Sequence, residues 1–265
     1  MAVLELSDIE LFLLDMDGTF YLGDKLIPGA LEFLEIVKSL KKKFMFLTNN
    51  SSKGPAQYVE KLKRLGVDVN ESCVFSSAEA TAMFLLERYG QSKLFLVGTK
   101  ALAETMKSYG HTIDEKEPQM VVLGYDTELT YEKLAKACLL LRKGLPYIAT
   151  HPDINCPSEE GPLPDAGSII ALIERSTGRT PDHIVGKPNQ LMMQMISKRF
   201  SLPPHKIAMV GDRLYTDMEF ALRSGAMAIL VLSGETQLEH LQNSQTKPHL
   251  VVENIEVLAK MLKRG

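Results

Sequence analysis

Six short runs of apolar residues constrain this chain more than anything else in it. They cover 11–14, 44–47, 94–97, 120–123, 207–210 and 228–232, and none alternates apolar with polar residues. A strand with one wet face alternates; a strand that does not alternate must be covered on both faces. Between these runs, apolar residues recur at helical spacing. Leu31, Leu34, Val37 and Leu40 lie near one face of a helix over 29–40. Tyr58, Val59, Leu62 and Leu65 do the same over 55–65, where Gly66 is a natural stop. Further helices are predicted near 100–109, over 130–142 and before Gly225, with strands starting at 74 and over 147–149. Strands that alternate with helices predict an α/β fold built on parallel sheets.

The totals fit that class. The 265 residues allow one large domain or two smaller ones. A net charge of −3 provides no broad basic field for nucleic acid or an anionic membrane, so an anionic ligand must be captured locally. Lys41, Lys42 and Lys43 form the one tight basic run, which reads as a solvated face. Cys73, Cys138 and Cys156 have no CxxC spacing, and the odd count predicts reduced thiols in a cytoplasmic setting. The N-terminus has no positively charged start before an apolar stretch, and no apolar run approaches the ~20 residues of a membrane helix.

Open parallel sheets bind ligands at the carboxyl ends of their strands, so the residues at those ends are the candidates for a site. The first reads "LFLLDMDGTF", with Asp15 and Asp17 one residue apart behind a buried strand. Such carboxylates repel each other, and burial worsens the repulsion, so a cation or a reaction needing both is implied. The second ends in "TNNSS", with Thr48, Asn49 and Asn50; a later one ends in "GDRLYTD", with Asp212 and Asp217; and Lys187 stands in "VGKPN".

These residue types suit phosphoryl chemistry. Mg²⁺ favours oxygen ligands, which Asp15, Asp17 and Asp212 offer. A carboxylate can attack phosphorus to form an aspartyl-phosphate while a second serves as acid and base. Gly18 permits a tight turn that brings backbone N–H groups towards an anion. Thr48 and Lys187 supply a hydroxyl and a positive charge for phosphate oxygens. Singly, Thr48 with its asparagines reads as helix capping and the "GKP" of Lys187 as incidental; the four segments together, each beside a strand or helix end, do not.

This set resembles the four motifs of the haloacid dehalogenase superfamily, and "TNNSS", "VGKPN" and "HPDINCP…DAGSI" resemble its NagD-like subfamily IIA phosphatases along essentially the whole chain. The resemblance implies a Rossmann-like parallel core with an inserted α/β cap of the C2a type. It implies Asp15 as nucleophile and Mg²⁺ ligand, and Asp17 as acid, base and backbone ligand. Thr48 and Lys187 would bind phosphate with help from Asn49 and Asn50, Asp212 would be the last metal ligand, and Asp217 an outer acidic residue. A homodimer through the cap is a further implication.

Thr48 and Lys187 lie much further apart than the few tens of residues a βα crossover needs, so another domain lies between them. The expected division is a core of 1–80 plus 181–265 and a cap of 81–180. The Pro-rich stretch 151–167 resembles the family's specificity loop, which puts Asn155 and Cys156 towards the substrate. Taken on their own, His151 reads as a turn residue bonded to backbone, Asp153 as an Asx-turn and Cys156 as a packed small apolar residue. Met192, Met193 and Met195 read as helix core, and the other histidines as structural or exposed. The segment "GRTPDHIVGK" lacks the glycine spacing of a phosphate loop, and there is no GxGxxG.

The expected activity is Mg²⁺-dependent hydrolysis of a small cytosolic phosphate monoester, a sugar phosphate or similar, with aryl phosphates accepted in vitro. A phosphotransferase or mutase would use the same aspartate. A non-catalytic phosphate-binding regulator would need a broken motif, and none is broken.

Overall fold

The computed structural model describes residues 4–157 and 161–264. The chain divides into two compact units. One comprises Met1–Thr48, Tyr58–Phe75 and Ile196–Gly265; the other comprises Asn49–Gln57 and Ser76–Met195. The segment 81–180 lies inside the second.

The first unit is built on a six-stranded sheet. From one edge its strands are Leu250–Val252, Met227–Val231, Ile207–Gly211, Leu11–Leu14, Lys43–Thr48 and Val74–Ser76. Leu11–Leu14 is central and runs parallel to both neighbours, with Leu14 beside Val210 on one side and Phe46 on the other. All four of its residues are buried, as a strand covered on both faces requires. Edge-to-face ring pairs, Phe12 with Phe33 at 5.5 Å and Phe20 with Phe46 at 4.8 Å, fill the core beside it. Helices Ala30–Ser39 and Ile255–Arg264 pack together on this core, with Lys263 reaching Glu32 at 2.8 Å. The chain order reverses between Leu11–Leu14 and Ile207–Gly211, and that reversal is where open α/β sheets form their ligand crevice.

The lysine run departs from the expected solvated face in its middle member. Lys41 and Lys43 are exposed, but Lys42 turns inward and donates to the carbonyls of Ser7 at 2.8 Å and Ile9 at 2.5 Å. Desolvation there lowers its pKa.

The second unit has its own five-stranded parallel sheet, in the order His183–Ile184, Tyr147–Ala149, Met120–Leu123, Lys93–Val97, Thr112–Ile113. Its core includes Tyr147, Phe95, Val121 and Ile173. Helix Ser77–Tyr89 shows no clear apolar stripe in the sequence, because its first two turns bury Ser77, Glu79 and Thr81 among alanines, and only Phe84 and Leu85 further on are large buried apolar residues. A capping box from Ser76 and Glu79 starts it. Within the Pro-rich stretch, Asn155–Cys156 pairs antiparallel with Leu163–Pro164, and Asp165 caps the helix Ala166–Thr177.

Candidate active site

The reversal point of the first sheet brings together residues about two hundred positions apart. Asp15 follows Leu14, and its backbone N–H donates to the Val210 carbonyl at 2.9 Å. Asp212 follows Gly211 on the adjacent strand. Asp217 sits on the single π-turn Leu214–Met218 that continues from it. The carboxylates of Asp15, Asp212 and Asp217 lie within 4.8 Å of one another. Asp212 is 2% exposed and Asp217 1%. Thr48 is buried at the end of the neighbouring strand.

Asp212 is held on every side. Its Oδ2 accepts the Glu235 N–H at 2.7 Å, and its Oδ1 accepts the Thr19 hydroxyl at 3.3 Å. A side chain on Gly18 would put its Cβ 2.5 Å from Oδ2, and one on Gly234 would collide with the same carboxylate. Gly18 also has φ +82°, a conformation only glycine adopts freely. Its own N–H is already given to the Tyr21 carbonyl at 2.8 Å, so the glycine makes room for Asp212 and turns the chain without offering a donor itself. Asp217 Oδ2 accepts the Arg213 N–H at 3.2 Å.

Crowded carboxylates in a dry site hold protons. Burial, then Asp15, then Asp217 push the Asp212 pKa up to about 7, against the Glu235 N–H and Arg213. Asp17 is exposed, yet its pKa is also raised: lost solvation is the largest cause and Asp15 adds to it, while Lys61 and Arg213 oppose. The donors are all oxygens, and a hard divalent cation satisfies such a set while cancelling its repulsion. The residues present therefore fit a metal ion held by Asp15 and Asp212.

Three contributors escaped the sequence reading. Arg213 Nε lies 3.0 Å from Glu235, and the Lys61 ammonium stands over the Tyr21 ring, 4.1 Å from its centre, where its charge opposes the rise in the Asp17 pKa. Segment 233–236 folds over Asp212, with the Ser233 hydroxyl donating to the Gly18 carbonyl at 2.8 Å. Its signal was available, because "SGET" closely follows the strand predicted at 228–232.

In the second unit, strand ends gather Asn49, Ser51, Thr150, His151, Asp153, Asp165 and Lys187. Lys187 is 3% exposed. His151 is bonded to side chains, contrary to the backbone-bonded turn predicted for it. Its Nε2 meets Asp165 Oδ1 at 2.9 Å and its Nδ1 meets the Thr150 hydroxyl at 2.8 Å. Asp153 likewise accepts from a distant side chain, the Asn49 amide at 3.0 Å. His151, Asp153 and Asp165 are close enough to suggest a second metal site, but these hydrogen bonds already occupy both histidine nitrogens and an oxygen on each carboxylate. Asn50 Oδ1 accepts from Ser52, and its Nδ2 reaches the Cys156 sulfur at 3.7 Å. Asn155 is exposed and Cys156 partly so. Burial, aided by Cys156, pushes the Tyr125 hydroxyl up to about 12.

Comparison with known proteins points one way. The family model of haloacid dehalogenase-like hydrolases matches residues 12–112, and a second, HAD-hydrolase-like model matches 184–258. Among solved structures, a 4-nitrophenylphosphatase from Thermotoga maritima is 57% identical, with a TM-score of 0.94 over 98% of this chain and 99% of that one. An acid sugar phosphatase of Staphylococcus haemolyticus is 34% identical over 96% of this chain and 97% of its own length. A 5'-nucleotidase of Bacillus subtilis, YutF, is 32% identical over 92% of this chain and 95% of its own.

Proposed function

This chain belongs to the haloacid dehalogenase-like hydrolases, in the NagD-like group of phosphatases, and from that premise we propose that it hydrolyses a small phosphate monoester in the cytoplasm through an aspartyl-phosphate. The convergence of Asp15, Asp212 and Asp217 at the sheet reversal, beside Asp17, carries this reading. Mg²⁺ is the proposed ion, held by the carboxylates of Asp15 and Asp212 and the main-chain carbonyl of Asp17. When bound it supplies positive charge for the carboxylates and the phosphate oxygens.

The chain's own residues divide the rest. An oxygen of Asp15 attacks phosphorus as the bond to the leaving oxygen breaks. Asp17 gives its proton to that oxygen, a task its raised pKa suits. Asp17 then takes a proton from the water that attacks the phosphoryl group, which releases inorganic phosphate and restores Asp15. The motifs assign Thr48 and Lys187 to the phosphate oxygens. The proposed division into a catalytic core and a cap follows the family pattern, with the cap excluding water and presenting its loop, Asn155 and Cys156 included, to the leaving group. A homodimer through the cap belongs to the same reading, and a monomeric sedimentation coefficient at high concentration would remove it.

A sugar phosphate or similar aliphatic ester is the proposed substrate. The loop "DINCP" has no aromatic ring on which a base could stack. The test is phosphate release from sugar phosphates, nucleotides and 4-nitrophenyl phosphate, with and without Mg²⁺, for the wild type and Asp15→Asn. Mg²⁺-dependent turnover lost in the variant supports the mechanism. Turnover that survives Asp15→Asn sinks it, and a preference for nucleotides sinks the substrate assignment alone.

A further inference from the structure

The side chain of Asn49 is spent on a single residue. Asn49 is 6% exposed. Its Oδ1 accepts the Lys187 N–H at 2.8 Å, and its Nδ2 donates to the Lys187 carbonyl at 2.9 Å. The other Nδ2 hydrogen goes to Asp153 Oδ1 at 3.0 Å. A carboxamide has two N–H donors, so the Asn49 side chain keeps none for a phosphate. The family motif suggests an assisting contact with substrate; the geometry gives this side chain a different task.

Two bonds from one planar amide to the N–H and C=O of Lys187 fix the main chain on both sides of its Cα. Asp153 fixes the amide in turn. Flipping the carboxamide would set its oxygen against the Asp153 carboxylate and the Lys187 carbonyl, two acceptors, and its NH₂ against an N–H. The neighbouring Gly186 is part of the fit, since a Cβ there would lie 2.7 Å from Asn49 Oδ1. Asp153 is itself anchored: its backbone carbonyl accepts the Gly167 N–H at 2.7 Å, in the first turn of helix Ala166–Thr177. The Ser77 hydroxyl donates to the Asn49 carbonyl.

We infer that Asn49 and Asp153 are positioning residues for Lys187. They set its main chain and thereby the arc its ammonium can sweep. The inference rests on the proposed phosphate-binding role of Lys187. It differs from direct contact in a measurable way: a residue that acts only through Lys187 has nothing left to contribute once Lys187 is gone.

The test uses full-length protein, 4-nitrophenyl phosphate and saturating Mg²⁺, with kcat, KM and melting temperature recorded for each variant. Asn49→Ala and the isosteric Asn49→Asp are expected to lower kcat/KM by about 10²-fold, the scale of a misplacement near 1 Å. In a Lys187→Ala background, Asn49→Ala is expected to add less than about a twofold further loss. Asp153→Ala is expected to lose about tenfold, and Asp153→Asn, which keeps an acceptor for Nδ2, to recover most of it. Equal losses from Asn49→Ala with and without Lys187 would overturn the inference while leaving Lys187 its phosphate role. Wild-type turnover in Lys187→Ala would remove that role and the inference with it. If Asn49→Ala does not fold, the Asp153 pair decides. Activities that follow melting temperature, with no difference between Asp153→Ala and Asp153→Asn, would reduce the clasp to a structural contact.

Discussion

Removing the cation should make the first unit less stable as the pH rises, because of Asp212. In the unfolded chain its carboxyl titrates near 3.8; in the folded, metal-free protein it is pushed up to about 7. The sign follows from proton counting. Below about pH 4 both states hold the proton, and the fold bears no penalty from this group. Between about 4 and 7 the folded state keeps a proton that the unfolded state has released, so stability falls as pH rises. Above 7 the full penalty is present. At about 1.4 kcal/mol per pH unit, the window amounts to a ceiling of about 4 kcal/mol. At about 4 °C per kcal/mol for a domain of this size, that is on the order of 15 °C. The assay is thermal melting at pH 5 and pH 8, in EDTA or in Mg²⁺, for the wild type and Asp212→Asn. In EDTA, the unit containing Asp212 should lose several degrees more between pH 5 and 8 in the wild type than in Asp212→Asn. Mg²⁺ should restore the wild type at pH 8 and hardly move the variant. If wild type and variant lose the same amount in EDTA, burial and the neighbouring carboxylates do not strain Asp212 as described.

Three further outcomes follow from the same geometry. Gly234→Ala should weaken Mg²⁺-dependent stabilisation and turnover more than tenfold, since the new methyl collides with the Asp212 carboxylate; Mg²⁺ titration of the melting temperature checks it. His151→Ala should destabilise the second unit by about 1–3 kcal/mol, because it strips a buried partner from Asp165 and from Thr150; urea unfolding followed in that unit measures it. Asn155→Ala and Cys156→Ala should change relative rates across a panel of phosphate esters while leaving 4-nitrophenyl phosphate turnover within about threefold, as residues that touch only the leaving group would. Unchanged relative rates in both variants would take those residues out of specificity.

Much of the fold could be read without coordinates, because the physics behind it is local. A run such as Leu11–Leu14 needs cover on both faces whatever surrounds it, and Asp15 and Asp17 at its end are conspicuous for what they cost when buried. The parallel sheets and the grouping of acidic residues at strand ends followed from that patterning. Where patterning failed, the local signal was weak or ambiguous. Helix Ser77–Tyr89 buries Ser77, Glu79, Thr81 and three alanines as well as Phe84 and Leu85, so the large apolar residues alone mark no stripe. Lys42 looked like its solvated neighbours until Ser7 and Ile9 turned carbonyls towards it.

By itself, then, the order of residues determined the class of fold, the carboxylates and the chemistry they suit, because hydrophobic periodicity and charge repulsion act over a few neighbouring positions. Only the tertiary structure decided what each polar group does with its hydrogen-bonding capacity. It placed Asp217 beside Asp15 and Asp212, gave the Gly18 N–H to Tyr21, set His151 between Asp165 and Thr150, and used both donors of Asn49 on Lys187 and Asp153. Those partners lie from fourteen to about two hundred residues apart in most cases, and a donor's commitment depends on which acceptor the fold brings within about 3 Å of it.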